Sequence, residues 1–411
     1  MNITTPPSPP FYGHPQPTKA TMITCSIAGT DYHNLVNGQY VENFHVQELR
    51  IYEDNCKFYF TGQLIIEAQY NTFERYLAPQ ADVVIAFVAP PGHIYQEVFK
   101  VYSYESKPRE GDIEGSMVIT IALMGKEYFK DKASQVQKNF QNVTGTTAAS
   151  AIHRQYLSEN GGLAIKPGSL GMIGKQLHAH QVLSKQPSKA INDLLDKSIF
   201  PTAHSGPGVY FRNKPGYIIG ALEHLIKTQP ITGRFQHFPA AGASLRHTME
   251  GYSDVIHFRP MAPPGEDRGG ARNDVSKKVN GFVDVAEGIS KTSKGEGGTG
   301  YAGGVTKNII DGVRQFVNVD KQGPGNFQSK ENDFISKLTY SPKYWVSVPM
   351  QDGIKVTVGD NITVRYPVSD EIQTKTLWVA RLIHELRFTE GKDRSVVTVT
   401  GTTDLFGVYY R

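Results

Sequence analysis

The chain has 411 residues, of which 39% are apolar, with 40 Gly, 24 Pro and 2 Cys; 43 basic and 39 acidic residues leave a formal charge of +4. That length allows two to four domains, and the lean apolar content with abundant Gly and Pro suits a loop-rich β protein better than a compact enzyme. The charge balance argues against the concentrated basic patch of a dedicated nucleic-acid binder, since the longest obvious basic cluster is Lys277-Lys278. Two cysteines cannot make a disulfide framework, so folding in a reducing cytosol is expected. Residues 1–16 are Pro-rich and polar with no apolar core, so no secretory signal is expected. No run approaches about 18 apolar residues, so no stable membrane insertion is expected.

In chain order, residues 1–40 open as a Pro-rich arm of polyproline character, carrying Pro6, Pro7, Pro9, Pro10, Pro15 and Pro17. Residues 41–135 read as a first β-barrel. Strands are expected around Phe44 to Tyr52, Lys57 to Gln69, Val83 to Ala89, Val98 to Glu105 and Ser116 to Leu123, with turns at Asp54-Asn55 and Pro90-Pro91-Gly92. Residues 136–235 read as a helix and hairpin subdomain. Ala148, Ile152 and Tyr156 are four apart, so Val136 to Leu157 is expected to hold a short helix capped by Thr146 or Thr147. Pro187 to Phe200 carries the stripe Ile191, Leu194, Leu195, Ile199 and predicts the best helix in the chain. Val209-Tyr210-Phe211 and Tyr217-Ile218-Ile219 flank Asn213-Lys214-Pro215-Gly216 as a hairpin.

Residues 236–335 read as an extended Gly/Pro-rich insertion. Both Asp254 to Asp274 and Lys291 to Gly304 have the composition of exposed excursions, suited to subunit contacts. Residues 336–411 supply the strands of a second barrel. Ile354, Val356, Val358 alternate, as do Ile362, Val364, Tyr366 and then Val397, Val399, with Gln351-Asp352-Gly353 and Glu390-Gly391-Lys392-Asp393 as turns. The two sets of barrel strands are allowed to interleave in sequence.

No chemical motif is complete. Gly295 to Gly300 spells G-x-G-x-x-G, but polar Lys291 to Lys294 stand where a strand must precede it. His178 and His180 share a face if they lie in a strand, without an evident third ligand. His384-Glu385 lacks the second His of a zinc protease motif. Cys25, Cys56 and the carboxylates Glu266 and Asp267 have no local partner that makes a nucleophile or a glycosidase pair. The Asn2, Asn142 and Asn361 sequons read as chance matches. Aromatic strand residues such as Phe58, Phe60, Phe87, Phe99, Tyr102 and Tyr104 could stack bases, but no Arg/Lys comb interleaves with them in sequence, so they read as packing. No catalytic, cofactor-binding or metal residue is therefore assigned, and no cofactor is expected.

The blocks KNFQNVTGTTAASAIHRQYL, KQPSKAINDLLDKSIFPTAHSGPGVYFRNKPGYIIGALEHLI and VGDNITVRYP…WVARLIHELRF…RSVVTVTGTT, in that order, resemble the baseplate central hub proteins of contractile-tailed bacteriophages. The resemblance covers roughly Val136 to Thr402, and the type VI secretion spike hubs share the plan. It implies a mainly β (α+β) fold with short helices: two small tube-like antiparallel β-barrels, a helix-hairpin subdomain and long loops. It also implies a non-enzymatic structural virion protein made in the host cytoplasm. That protein would be a homotrimer whose six barrels match the hexameric tail tube on one side and the trimeric spike on the other. Other baseplate and tape-measure proteins would be neighbours, and DNA would cross the central channel without sequence-specific binding. Alternatives are another tail adaptor on the same barrel, a tail-associated cell-wall hydrolase, and a single-strand-binding barrel.

Overall fold

The computed structural model describes residues 20–36, 39–69, 76–89, 92–108, 116–158, 176–196, 198, 208–238, 251–261, 282–284, 291–293, 307–310, 313–316, 334, 337–338, 341–368, 371–390 and 397–410. The fold is mainly β, with few and short helices. Its first strands are β1 (Ala20–Ile27), β2 (His45–Asp54), β3 (Thr61–Gln69), β4 (Asp82–Ala89), β5 (His93–Pro108) and β6 (Ser116–Gly125). Two long strands much later in sequence complete them, β16 (Glu371–Glu390) and β17 (Val397–Val408). The pairings run β16-β2-β3-β6-β5-β4-β1-β17 and return to β16, a closed antiparallel ring. Alternation along β3, with Leu64 and Ile66 buried, puts one residue in two on the inner face. The ring is filled by Leu49, Ile51, Phe87, Phe99, Ile121, Leu386, Phe388 and Val399.

A second ring uses the other halves of the same two strands. Its remaining members are β11 (Ile231–Gln236), β12 (Ser253–Asp254), β13 (His257–Met261), β14 (Lys343–Pro349) and β15 (Asn361–Val368). The order is β11-β15-β16-β17-β14-β13, and closure comes through residues 253–261. Val255 N–H bonds Gln236 O at 3.0 Å and Ile256 N–H bonds Ser347 O at 2.8 Å, so one kinked segment bridges β11 and β14. Phe235, Val346, Val348, Ile362, Val364, Leu377, Leu382 and Leu405 fill this ring. Its β11–β15 and β11–β12 pairings are parallel, unlike the all-antiparallel barrel expected.

A helical layer packs against Phe58 after β2 and against Trp378 and Ala380 of β16 and Val408 of β17. It comprises α1 (Lys126–Ala133), β7 (Val136–Thr144), α2 (Gly145–Ile152), β8 (Gln176–Lys185), α3 (Pro187–Asp196), the hairpin β9 (Gly208–Asn213) and β10 (Gly216–Ala221), and α4 (Leu222–Thr228). Ala190, Ile191, Leu194 and Leu195 of α3 are buried against Ala148, Ile152 and Tyr210. Asp131 caps α3, accepting from Ser188 N at 2.6 Å and Ser188 Oγ at 2.8 Å.

Several expectations are corrected. Val136 to Thr144 is a strand, paired with β8, and the helix starts only at Gly145 with Thr144 as its cap, whose Oγ1 accepts from Thr147 N at 3.1 Å. Part of the expected arm, Ala20–Ile27, is a wall of the first ring. Lys57 to Phe60 is not strand, because Asp54 turns the chain by accepting from Cys56 N and Lys57 N. Part of the expected 254–274 excursion closes the second ring, and Pro260 is tolerated there because β13 is hydrogen-bonded on one side only. Ile354, Val356 and Val358 are buried, as is Thr357 between them, but they form no strand. Residues 1–19, 262–281 and 294–306 lie outside the described residues.

Candidate functional site: a charged joint between the two rings

The segment 350–360 fails to become a strand because side chains take its backbone groups. It opens with a single helical turn, Met350–Gly353, and Ile354 N–H bonds back to Met350 O. The Lys214 ammonium, at the tip of the β9–β10 hairpin, then donates to Ile354 O at 2.9 Å and Val356 O at 2.7 Å. Its third proton points to His384 Nε2 at 3.0 Å, and Glu53 Oε1 lies 3.3 Å away. Glu53 Oε2 accepts from Thr357 Oγ1 at 2.5 Å and from Val358 N at 3.2 Å. The turn that follows places Gly359 at φ +89°, a conformation that suits glycine. Asp360 Oδ2 closes the turn onto Thr357 N at 3.1 Å.

Four parts of the chain therefore meet. Glu53 comes from the first ring, His384 and Thr403 from the shared ribbon, Thr357 from the segment 350–360 that packs into both cores, and Lys214 from the hairpin. Glu53, His384 and Thr403 are fully buried. Burial works against the Glu53 charge, but Lys214, His384 and Thr357 overcome it and hold the carboxyl at about 2. Burial, with the Lys214 cation beside it, pulls His384 down to about 4. Neutral His384 thus accepts from Lys214 at Nε2 and donates from Nδ1 to Thr403 Oγ1 at 2.8 Å. Burial also lowers Lys214, against the pull of Glu53. With every ammonium proton aimed at an acceptor, the charged form is the one the site fits.

A second buried group bolts the same hairpin to the first ring. Arg212 Nη2 donates to both oxygens of Glu97 at 2.9 Å, Nη1 reaches Glu127 at 3.3 Å, and the guanidinium lies 4.4 Å from the centre of the Phe60 ring. Burial opposes the Arg212 charge, but Glu97 and Glu127 more than offset it and raise its pKa. Chemically, both clusters are sets of ion pairs and hydrogen bonds in which, of the buried atoms, only Glu53 Oε1 and Arg212 Nε lack a hydrogen bond. What such sets do is fix relative position: each charge makes any other arrangement of the rings cost a desolvated, unpaired group.

No protein-family model and no curated protein matches the sequence. Solved structures with a similar fold include the 43 kDa tail protein of prophage MuSo2 from Shewanella oneidensis, at 10% identity and TM-score 0.49, covering 95% of this chain and 98% of that one. A tail protein from Neisseria meningitidis MC58 is similar at 10% identity and TM-score 0.49, over 95% of this chain and 97% of that one. The E. coli c3393 protein, described as a type VI secretion component with structural similarity to the T4 tail proteins gp27 and gp5, follows at 9% identity and TM-score 0.45, over 90% of this chain and 74% of that one. At these values the likeness carries no functional argument.

The residues weighed from sequence are dispersed. His178 and His180 lie in β8, where His180 is in register with Phe140; their side chains are outside the described residues. Neither Cys25 nor Cys56 is in a disulfide, and burial, with Asp31 adding to it, pushes the Cys25 thiol to about 12, far from a nucleophile's range. Glu266, Asp267 and Gly295 to Gly300 fall outside the described residues. His384 and Glu385 point to opposite faces of β16. Glu385 lies on the outside, in a cleft of about 320 Å³ between Arg387, Thr400, Thr402, Ile256 and Pro349. Among the described residues no group of three His, Cys, Asp or Glu is placed to hold a metal, and no helix is long and apolar enough to cross a membrane. Lys214 and Glu53 were missed because nothing in their local sequence marks them; only an alternating apolar run that lacks a strand partner hints at them.

Proposed function

We propose that this chain is a structural protein of a contractile phage tail, the central hub of the baseplate. Three copies present six rings to a hexameric tail tube, bind a trimeric spike on the other side, and enclose a channel through which DNA passes. The observation that carries the reading is the pair of closed rings strung on one ribbon, β16–β17, and locked by the Lys214 joint. A chain with two rings in fixed relation is what a threefold assembly needs to imitate a sixfold one. In this reading the ring walls are drawn from residues 20–27, 45–125, 231–261 and 343–408, residues 126–228 form a layer packed beside them, and 262–335 is an insertion toward neighbouring proteins, the tape-measure protein included. The protein acts by position in the virion and not by catalysis.

Native mass measurement of the purified chain, alone and with particle extracts, tests this. A trimer, or a trimer with its spike, is expected. A monomer that stays inert at high concentration overturns the reading, as does peptidoglycan hydrolysis by the purified chain.

A further inference from the structure

Helix α1 is turned inside out. It runs Lys126-Glu127-Tyr128-Phe129-Lys130-Asp131-Lys132-Ala133, and the residues it buries are its two acids, Glu127 and Asp131. These stand four apart and so share one face of the helix. Both are engaged inward. Glu127 accepts from Arg212 Nη1 at 3.3 Å, and Asp131 accepts from Ser188 N and Ser188 Oγ. An ordinary surface helix buries its aromatics and shows its charges. Here Tyr128 and Phe129 stay only half-buried, and Lys126 and Lys132, each three residues from Phe129, flank it.

The aromatic surface does not end with the helix. The Tyr128 ring centre lies 5.1 Å from that of Tyr59, after β2, 5.9 Å from that of Tyr102 in β5, and 5.3 Å from that of Phe129. The Lys132 ammonium sits 5.4 Å from the Tyr128 centre. Tyr102 is 49% exposed. Four rings from three stretches of chain thus form one continuous patch where α1 meets the first ring. A contiguous apolar patch rimmed by charge marks a contact surface.

We infer that this patch is a docking surface for an acidic face of a different protein. Tyr and Phe at the centre with a charged rim are the make-up of an interface hot spot. The rim is nearly one-signed. The acids of α1 are spent on Arg212 and Ser188, and Asp54 is buried and bonded to Cys56 N. That leaves Glu105, exposed three residues along β5 from Tyr102, against Lys126, Lys130 and Lys132. Complementarity asks for carboxylates from the other side. The rings meet Tyr128 at 60°, 82° and 88°, which makes a rough apolar surface and not the parallel platform on which bases stack. That such a partner is at hand rests on the reading of the chain as part of a tail.

The test is lysine acetylation and zero-length carbodiimide cross-linking, mapped by mass spectrometry, on the full purified chain and on particles that contain it. Lys132 should react in the purified chain and about ten-fold more slowly in the particle. Carbodiimide should join Lys126, Lys130 or Lys132 to an Asp or Glu of a different protein. In particles carrying Tyr102→Gln/Phe129→Gln the cross-link should fall about ten-fold, while the purified variant melts as the wild type does. Lys132→Glu, wholly on the surface, should lower the Lys126 and Lys130 cross-links too, and it decides the matter if the aromatic pair fails to fold. Equal Lys132 reactivity in both states, cross-links to another copy of this chain alone, or protection that nuclease removes each overturns the inference. The last two outcomes assign the patch to self-association and to a nucleic acid. Native mass reads the trimer separately: a trimer in particles whose Lys132 stays reactive sinks this inference and spares the hub reading, and a chain found in no particle sinks both.

Discussion

The two rings are built on the same ribbon but close by different means. The first closes through antiparallel strands alone, its floor filled by residues such as Leu64, Phe87 and Phe99. The second closes through a kinked segment at 253–261 and two parallel pairings, and between the two cores runs 350–360, with Met350 and Ile354 in the first core and Val356 in the second, its backbone satisfied by Lys214 and Glu53 in place of a strand. A ring closed by backbone hydrogen bonds alone borrows no side chain from elsewhere to complete it. A ring completed by charged side chains depends on the parts that lend them, and here those parts belong to the first ring and the hairpin.

The sharpest way to break this contrast is Lys214→Met. Removing the cation leaves Glu53 buried and unpaired and should cost about 3–5 kcal/mol. Hydrogen exchange should show Ile354 to Val364 losing protection well before Leu64 and Ile121; uniform loss would mean that the rings do not differ in this way. Leu64→Ala, a cavity inside the first ring, should cost about 2–4 kcal/mol in denaturant titration and loosen that ring without singling out 350–360. Arg212→Lys keeps charge but loses the fork to Glu97 and the packing on Phe60, and should cost about 1–3 kcal/mol in the same assay.

Acid should act through the joint. The folded values of His384 and Glu53, about 4 and about 2, lie below their ordinary values of 6.5 and 4.5, so the unfolded chain binds more protons. Stability is then present above about pH 6.5, falls as His384 is protonated toward pH 4, and falls again toward pH 2 as Glu53 follows. Melting temperatures from pH 7.5 to 4 should decline, and His384→Gln should flatten the decline between pH 6.5 and 4; an unchanged slope removes His384 from the account. The smallest effect should come from Lys100→Gln, which breaks an exposed pair with Asp82 and should change stability by no more than about 0.5 kcal/mol.

Much of this was legible locally. Apolar runs and turns located β2 to β6 and β16, alternation located β15 and β17, and Asn213 to Gly216 located the hairpin, while β1 was hidden in a Pro-rich context. Local pattern failed where distant parts decided the outcome. Ile354, Val356 and Val358 have a strand's rhythm, but Lys214 occupies the carbonyls a partner strand would use. The segment 253–261 has a loop's composition, yet β14 and β11 recruit it. Val136 to Thr144 became a strand because β8 pairs with it from beyond residue 175. The joint itself links Glu53 to His384, a separation across which no periodicity speaks.

The ribbon also dictates a timetable. β1 to β6 are all synthesised by Gly125, yet the ring they belong to lacks its last two walls until Glu390 and Val408 have emerged. At ordinary ribosomal speeds that interval is roughly ten to fifty seconds. Throughout it the free edges of β1 and β2 are open to any strand that passes. The cell that makes this chain holds a half-built sheet for that interval, and a message truncated before the ribbon leaves a sheet with two open edges in place of a smaller ring.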